Sequence, residues 1–312
     1  MTYSIVARDA RTGDLAVAVQ SKFMCVGSIV PWARAGVGAV ATQAFSNIRY
    51  GLDGLALLAS GLGAPDAVDR LIAADSGREH RQLAIVDAAG RAQNHTGRGC
   101  FAWAGGRTAE NVAVQGNILA GPTVVDALYE TFMGGGRPFP ELLIECLVEA
   151  DGAGGDRRGR ESAALLVVRE NGAYGGGGDR WIDLRVDDHP DPIGELRRLH
   201  DLWGLYFQRP AASDLLPFDE TLAAEVRRRL ASAGYGANRR TAVFAPMGPG
   251  EVPEAAAPPV VGEARPHPAG WDEAWQTALT DWMSVENLEE RTAAASWIDP
   301  RVLAYLREHT TT

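Results

Sequence analysis

The chain has 312 residues, 46% of them hydrophobic, with a formal net charge of −10 and a pI near 5.1. This is the composition of a globular protein with a sizeable core, and its negative balance argues against nucleic acid or an anionic membrane surface as a partner. Three cysteines, Cys25, Cys100 and Cys146, cannot all pair with one another and lack metal-ligand spacing; with no signal-peptide pattern and no apolar run of about 18 residues, the expectation is a cytoplasmic protein with reduced thiols and no membrane span.

Residues 1–22 read as a β-hairpin: a β-rich run to Arg8, a turn through Asp9-Ala10-Arg11-Thr12-Gly13, and a returning run to Lys22. With residues 9–13 as the loop, Arg8 pairs with Asp14 and Thr2 with Gln20, and the period of two puts Thr2, Ser4, Gln20 and Lys22 on one face. Lys22 is the one lysine among 30 basic side chains. It is either the survivor of a compositional bias or a charge placed where arginine cannot serve, because lysine is a compact ammonium whose pKa moves with its surroundings. Thr2 becomes an N-terminus if Met1 is removed. A free threonine carries a hydroxyl nucleophile and an α-amine of pKa about 7.7–8.0, a base suited to activating that hydroxyl. A neighbouring Lys22 ammonium would hold that amine neutral. The plain alternative is a threonine in an edge strand.

Strands are expected at 28–34 and 36–41, then helices at 50–60 and 65–74. Further strands follow at 82–87, 91–95, 100–104 and 111–115, helices at 123–133 and 141–150, and strands at 162–169 and 181–186 around a glycine-rich turn. Asp191-Pro192 has the form of a helix cap with proline at the first helical position, opening a helix to about Tyr206. Several strand runs, such as 164–168, are apolar on both faces, so their sheets need cover on both sides. An α+β fold of four layers, αββα, with a small helical C-terminal appendage meets that need.

Beyond residue 210 the expectation is a helical extension (211–246) with Leu222, Val226 and Leu230 on one face, and a linker (247–270) in a stretch rich in proline. Residues 271–312 form an appendage holding four of the eight tryptophans, of which Trp271, Trp275 and Trp282 fit one helical face with Leu279. So small a unit must dock on a larger body or bind a partner through its aromatics.

Candidate chemistry lies at strand ends and loops. Asn117, just past the 111–115 strand, is either an oxyanion donor or a turn residue; Thr42, Gln43 and Asn47 follow another strand in the same way, with Gln43 and Asn47 as substrate contacts. In the 154–162 loop Asp156 can orient the Thr2 amine and Arg157 can clamp a substrate carboxylate, unless the loop is simply solvated. Asp187, Asp188 and His189 have no established ligand spacing, Asp191 reads as a cap, and neither metal nor cofactor is expected.

The segments TYSIVARDARTGDLAVAVQSKF, VPWARAGVGAVATQAFSNIRYG, QGNILAG, GGDRRGRESAALLVV and DLRVDDHPDPIGELRRL resemble the bacterial and archaeal family known as domain of unknown function 1028, over about residues 1–210. That family is grouped with the N-terminal nucleophile (Ntn) hydrolases. The resemblance implies the αββα fold with its active site at the open end of two sheets, and it supports amide hydrolysis by Thr2. The stretch from Trp282 to Pro300 is similar to a peptidoglycan-binding appendage. The competing expectation is a binding protein on the same scaffold, whose tryptophan-rich tail recognises a glycan or a protein partner. Sheet edges in such folds pair between subunits, so a homo-oligomer is expected in either case.

Overall fold

The computed structural model describes residues 2–236 and 260–311. The chain divides into two units, Met1–His200 and Asp201–Thr312, so the helical extension and the appendage fall in one unit.

In the first unit, β1 (Thr2–Arg8), β2 (Leu15–Ser21), β7 (Gly105–Ala109), β8 (Val112–Asn117), β9 (Ser162–Val168) and β10 (Arg180–Val186) form one sheet in the order β10-β9-β2-β1-β8-β7. A second sheet has the order β3-β4-β5-β6, from Pro31–Arg34, Gly38–Ala44, Arg81–Asp87 and Ala92–Thr96. Every pairing is antiparallel. The sheets meet through one apolar cluster, in which Val6, Val17 and Val19 face Ala39, Ala41 and Ala84. Small side chains on one side and β-branched ones on the other let the two faces interdigitate. Helices α1 (Arg49–Ala59) and α2 (Ala64–Ala74) cover the outer face of the second sheet, packing Tyr50, Leu58, Val68 and Leu71 on Val40, Leu83 and Ile85. A Cβ at Gly51 would come within 2.2 Å of the Trp32 ring, so glycine lets α1 lie close to β3. On the first sheet lie α3 (Thr123–Gly134) and α4 (Phe139–Gly152), and Tyr3 of β1 reaches the Leu147 carbonyl of α4. Helix α5 (Pro192–Phe207) follows β10, with Asp191 accepting from the Gly194 N–H as expected of its cap.

Two expectations fail for local reasons. The expected strand at 100–104 is a loop with Phe101 62% exposed; the strand lies at Gly105–Ala109 instead. The two-residue turn at Glu110-Asn111, with Asn111 at φ +67°, folds that segment directly onto the buried β8. The first hairpin is longer by one residue. Asp14 belongs to the turn, its carbonyl accepting from the Asp9 N–H, while its buried carboxylate pairs with Arg169 at 2.6 Å. Arg8 therefore pairs with Leu15, and Thr2 with Ser21 rather than Gln20.

The second unit has a core of its own. Helices α6 (Glu220–Ser232), α7 (Glu273–Val285) and α8 (Pro300–His309) enclose Val226, Leu230, Leu279, Trp282, Val302 and Leu306, and a two-strand ribbon pairs β11 (Leu216–Pro217) with β12 (Trp297–Ile298). Trp271 stacks on Phe218 with ring centroids 4.4 Å apart. Trp271 and Trp282 are thus core residues, so the tail offers no continuous tryptophan face. Part of the expected linker is tied in as well: Val261 bridges to Ala293 and Arg265 donates to the Ala295 carbonyl. The rest of the linker, and the end of the expected helical extension, lie outside the described residues. Among the described residues no helix is long and apolar enough to cross a membrane.

Candidate active site at the polar end of the first unit

The one-residue change of register decides what surrounds Thr2. Residues directly opposite in an antiparallel pair share a face, and the same level continues across the sheet. Thr2 pairs with Ser21 on one side and Asn117 on the other, and Ser21 pairs in turn with Ser162. Four adjacent strands therefore carry a polar row, Ser162, Ser21, Thr2 and Asn117, at the last level of the inner face. All four are buried; Thr2, the most exposed, retains 7% of its surface. The next level reads Ala164, Val19, Ser4 and Gln115, and the one below it Leu166, Val17, Val6 and Ala113. The inner face thus changes from polar to apolar within two levels.

The facing sheet supplies a matching pair, Gln43 of β4 and Gln82 of β5, which are also in register. Gln43 donates to the Thr2 carbonyl at 3.2 Å and to Gln82 Oε1 at 2.7 Å, and accepts from Ser4 Oγ at 2.7 Å. Gln82 donates to Thr96 Oγ1 at 2.9 Å and to the Gly116 carbonyl at 2.8 Å. Asn117 Nδ2 donates to Gln82 Oε1 at 2.9 Å, the one acceptor of this amide among the described residues. The Thr2 and Ser21 hydroxyls are 3.0 Å apart. The backbone is held in uncommon conformations just past two of these residues: Ala44 at φ +67° after Gln43, and the β-branched Ile118 at φ +53° after Asn117. Such left-handed residues cost about 1–3 kcal/mol and cluster at functional sites.

Asp156 closes this end. Gly154 and Gly155, at φ +114° and +50°, turn the chain so that the buried Asp156 carboxylate accepts from the Lys22 backbone N–H at 2.9 Å and from the Arg158 N–H at 2.8 Å. It therefore fixes the segment just beyond Ser21. On the opposite face of the sheet, burial and then the nearby Asp151 charge push the Tyr3 phenol well above its ordinary pKa.

The residues anticipated from sequence separate into two groups. Thr2, Asn117, Gln43 and Asp156 come together. Lys22 does not share the face of Thr2; its ammonium pairs with Glu161 at 3.2 Å, half-exposed. Among the described residues the Arg157 guanidinium makes a 3.5 Å contact with the Ala102 carbonyl. Asn47 donates to Asp75 at 3.1 Å, and Asp75 also receives Tyr50, Arg81 and the Gly77 N–H. Burial alone would raise that carboxyl, but these donors outweigh it and hold Asp75 well below the usual carboxylate range. Asn47 is thus a tie beside α1. Ser21, Ser162 and Gln82 escaped the sequence reading; the signal was present as a hydroxyl or amide at the end of each apolar strand, but only the register aligns them.

Among the described residues no group of three or more His, Cys, Asp or Glu side chains is placed to hold a metal ion. His189 instead accepts from the Asp191 N–H at 3.0 Å. The three cysteines are free, and burial pushes the Cys146 thiol up to about 12, which leaves it protonated and unreactive.

The comparisons with known proteins fit this division. The family model described as "Family of unknown function (DUF1028)" matches residues 2–196, and the one described as "Putative peptidoglycan binding domain" matches residues 263–306. Among solved structures the chain is similar to protein SPO2555 from Silicibacter pomeroyi, assigned to the same DUF1028 model, at 33% identity over 65% of this chain and 89% of that one, with a TM-score of 0.60. Anbu (ancestral beta-subunit) from Yersinia bercovieri is matched at 12% identity over 67% of this chain and 98% of that one, with a TM-score of 0.31. No curated protein matches the chain.

Proposed function

The chain belongs to the DUF1028 family, and from that membership and the polar end of its first unit we propose that it is an amidohydrolase whose nucleophile is Thr2 after removal of Met1. In this reading the stacked sheets and their covering helices are the four-layer αββα sandwich of an Ntn hydrolase. The observation that carries it is the buried polar row, with the Thr2 hydroxyl 3.0 Å from Ser21 and Asn117 in register on its other side.

The chemistry follows from those positions. The Thr2 α-amine takes the Oγ1 proton, directly or through water, and Oγ1 attacks the amide carbonyl carbon. Ser21 orients the hydroxyl and relays its proton. The oxyanion accepts a hydrogen bond from Asn117 Nδ2, a donor of the kind that contributes about 3–4 kcal/mol to the transition state. The C–N bond breaks as the α-ammonium returns its proton to the leaving nitrogen, and water then hydrolyses the threonyl ester by the same route in reverse. Gln43 and Gln82 fix the Thr2 carbonyl and the Asn117 amide. Asp156 acts as a positioning residue through the Lys22 backbone.

Intact mass with N-terminal sequencing of the purified protein tests the premise: a chain beginning at Thr2 with a free amine supports it, and retained Met1 removes the base and sinks it. A screen of amide substrates, repeated with Thr2→Ala, tests the reaction.

A second reading concerns the other unit and rests on the peptidoglycan-binding match over residues 263–306. In this reading that unit anchors the protein to glycan-peptide material through a surface other than Trp271 and Trp282. Co-sedimentation of the full chain with purified peptidoglycan checks it; a protein left wholly in the supernatant rejects it.

A further inference from the structure

We propose that the end of the first unit opposite Thr2 carries a second binding site, for a small carboxylate with an apolar body. A cavity of about 740 Å³ opens there, lined by the end of β1, the two turns at 9–11 and 110–111, and the α3–α4 connection. Its volume lies within the range of about 300–1,000 Å³ typical of small-molecule sites. Thr2 and Arg8 are the two ends of β1, roughly 20 Å apart at 3.3 Å per residue, so this is not the Thr2 site.

The lining has two parts. Phe132, Phe139 and Leu142, from the end of α3 and the start of α4, form an apolar wall. Across from it stands Arg8. Its Nη1 donates to Asn111 Oδ1 at 3.1 Å, and its Nε is buried under protein with no hydrogen-bond partner, so a ligand in the cavity would be met by the two Nη groups. The other charges are largely accounted for: Arg11 pairs with Asp9 at 3.5 Å, Arg137 pairs with Glu145 at 3.6 Å, and Glu110 is exposed. Among the described residues, then, Arg8 is a half-buried guanidinium with no carboxylate partner. A charge removed from water without a partner is unfavourable, and a carboxylate, which matches the guanidinium fork in two parallel hydrogen bonds, is the group that compensates it best. The apolar wall then selects an acid with a hydrocarbon or aromatic body over a small inorganic anion.

The probe is octanoate, titrated into the full-length protein by calorimetry, with octanol as the uncharged control. Saturable binding at one site is expected. It should weaken about tenfold or more in Arg8→Gln and in Ala10→Glu, which sets a negative charge at the exposed mouth, and it should be unchanged in Thr2→Ala. Octanol should bind at least tenfold more weakly. Absence of saturable octanoate binding, equal affinity for octanol, undiminished affinity in folded Arg8→Gln or Ala10→Glu, or loss of binding in Thr2→Ala would each overturn the proposal.

Discussion

The two units use their buried polar side chains in opposite ways. In the second, the buried Arg291 and Asp299 serve structure. Arg291 is 3% exposed and donates to the Gly204 and Leu205 carbonyls at 2.7 Å, as well as to the buried Asp299. The buried Asp299 also caps α8 by accepting from the Arg301 N–H, as the exposed Asp219 and Asp272 cap α6 and α7 by accepting from the Leu222 and Trp275 N–H groups. In the first unit the buried polar groups gather at one level of the inner face, where the Thr2 and Ser21 hydroxyls lie 3.0 Å apart and Asn117 stands in register on the other side of Thr2. Burial of a polar residue is therefore not in itself a sign of function. What distinguishes the two regions is whether the polar groups are dispersed among helix ends and connections or converge on one point.

The comparison can be broken from either side. If the polar end is chemical, Thr2→Ala should reduce amide hydrolysis by more than about a thousandfold while the circular dichroism spectrum and melting temperature stay near wild type. An active Thr2→Ala protein would return the polar row to structure. If Arg291 is purely structural, Arg291→Ala should destabilise the second unit by about 3–5 kcal/mol, because it leaves Asp299 buried without its partner. A calorimetric scan should then show one transition lowered and the first unit's retained. Ser21→Ala should lower kcat about 10–100-fold with KM little changed, as expected for a group that orients and relays a proton; a KM effect alone would make Ser21 a packing residue.

Acid should separate the units too. Hydrogen bonds from Arg307, against a smaller effect of burial, and then from Arg229 hold the Glu225 carboxyl at about 2, below its ordinary 4.5. A carboxyl lowered on folding stabilises the native state above the unfolded value and loses that contribution as pH falls through the folded one. Stability of the second unit should therefore decline between about pH 4.5 and 2, and Glu225→Gln should flatten that decline in acid titrations followed by tryptophan fluorescence. The smallest effect is expected at Lys22→Arg. Its ammonium forms a half-exposed pair with Glu161, and such pairs contribute little, so turnover should change by less than about threefold. A larger loss would mean that the single lysine acts on Thr2 after all.

Much of this molecule was legible in the chain. The apolar runs and their helical or alternating periods located most strands and helices, because burial imposes those periods wherever an element packs. Asp191-Pro192 and Asp299-Pro300 declared helix starts because a cap and a proline at the first turn satisfy local requirements. Thr2, Asn117, Gln43 and Asp156 were visible as polar groups beside buried strands. Three things were not. The turn's extra residue, Asp14, is held by Arg169, 155 positions away in sequence, and that contact shifts the register by one. With the register went the partner of Thr2, from the face of Gln20 and Lys22 to Ser21, since a one-residue slip reverses every side chain. Lastly, the polar row exists only across four strands drawn from three distant parts of the sequence, and the tryptophans of the tail were surface or core only once α6 had packed against α7 and α8. Local periodicity and capping are properties of neighbours in the chain, and the sequence determined them alone; alignment across strands and the burial of a face depend on contacts between distant segments, and only the tertiary structure decided those.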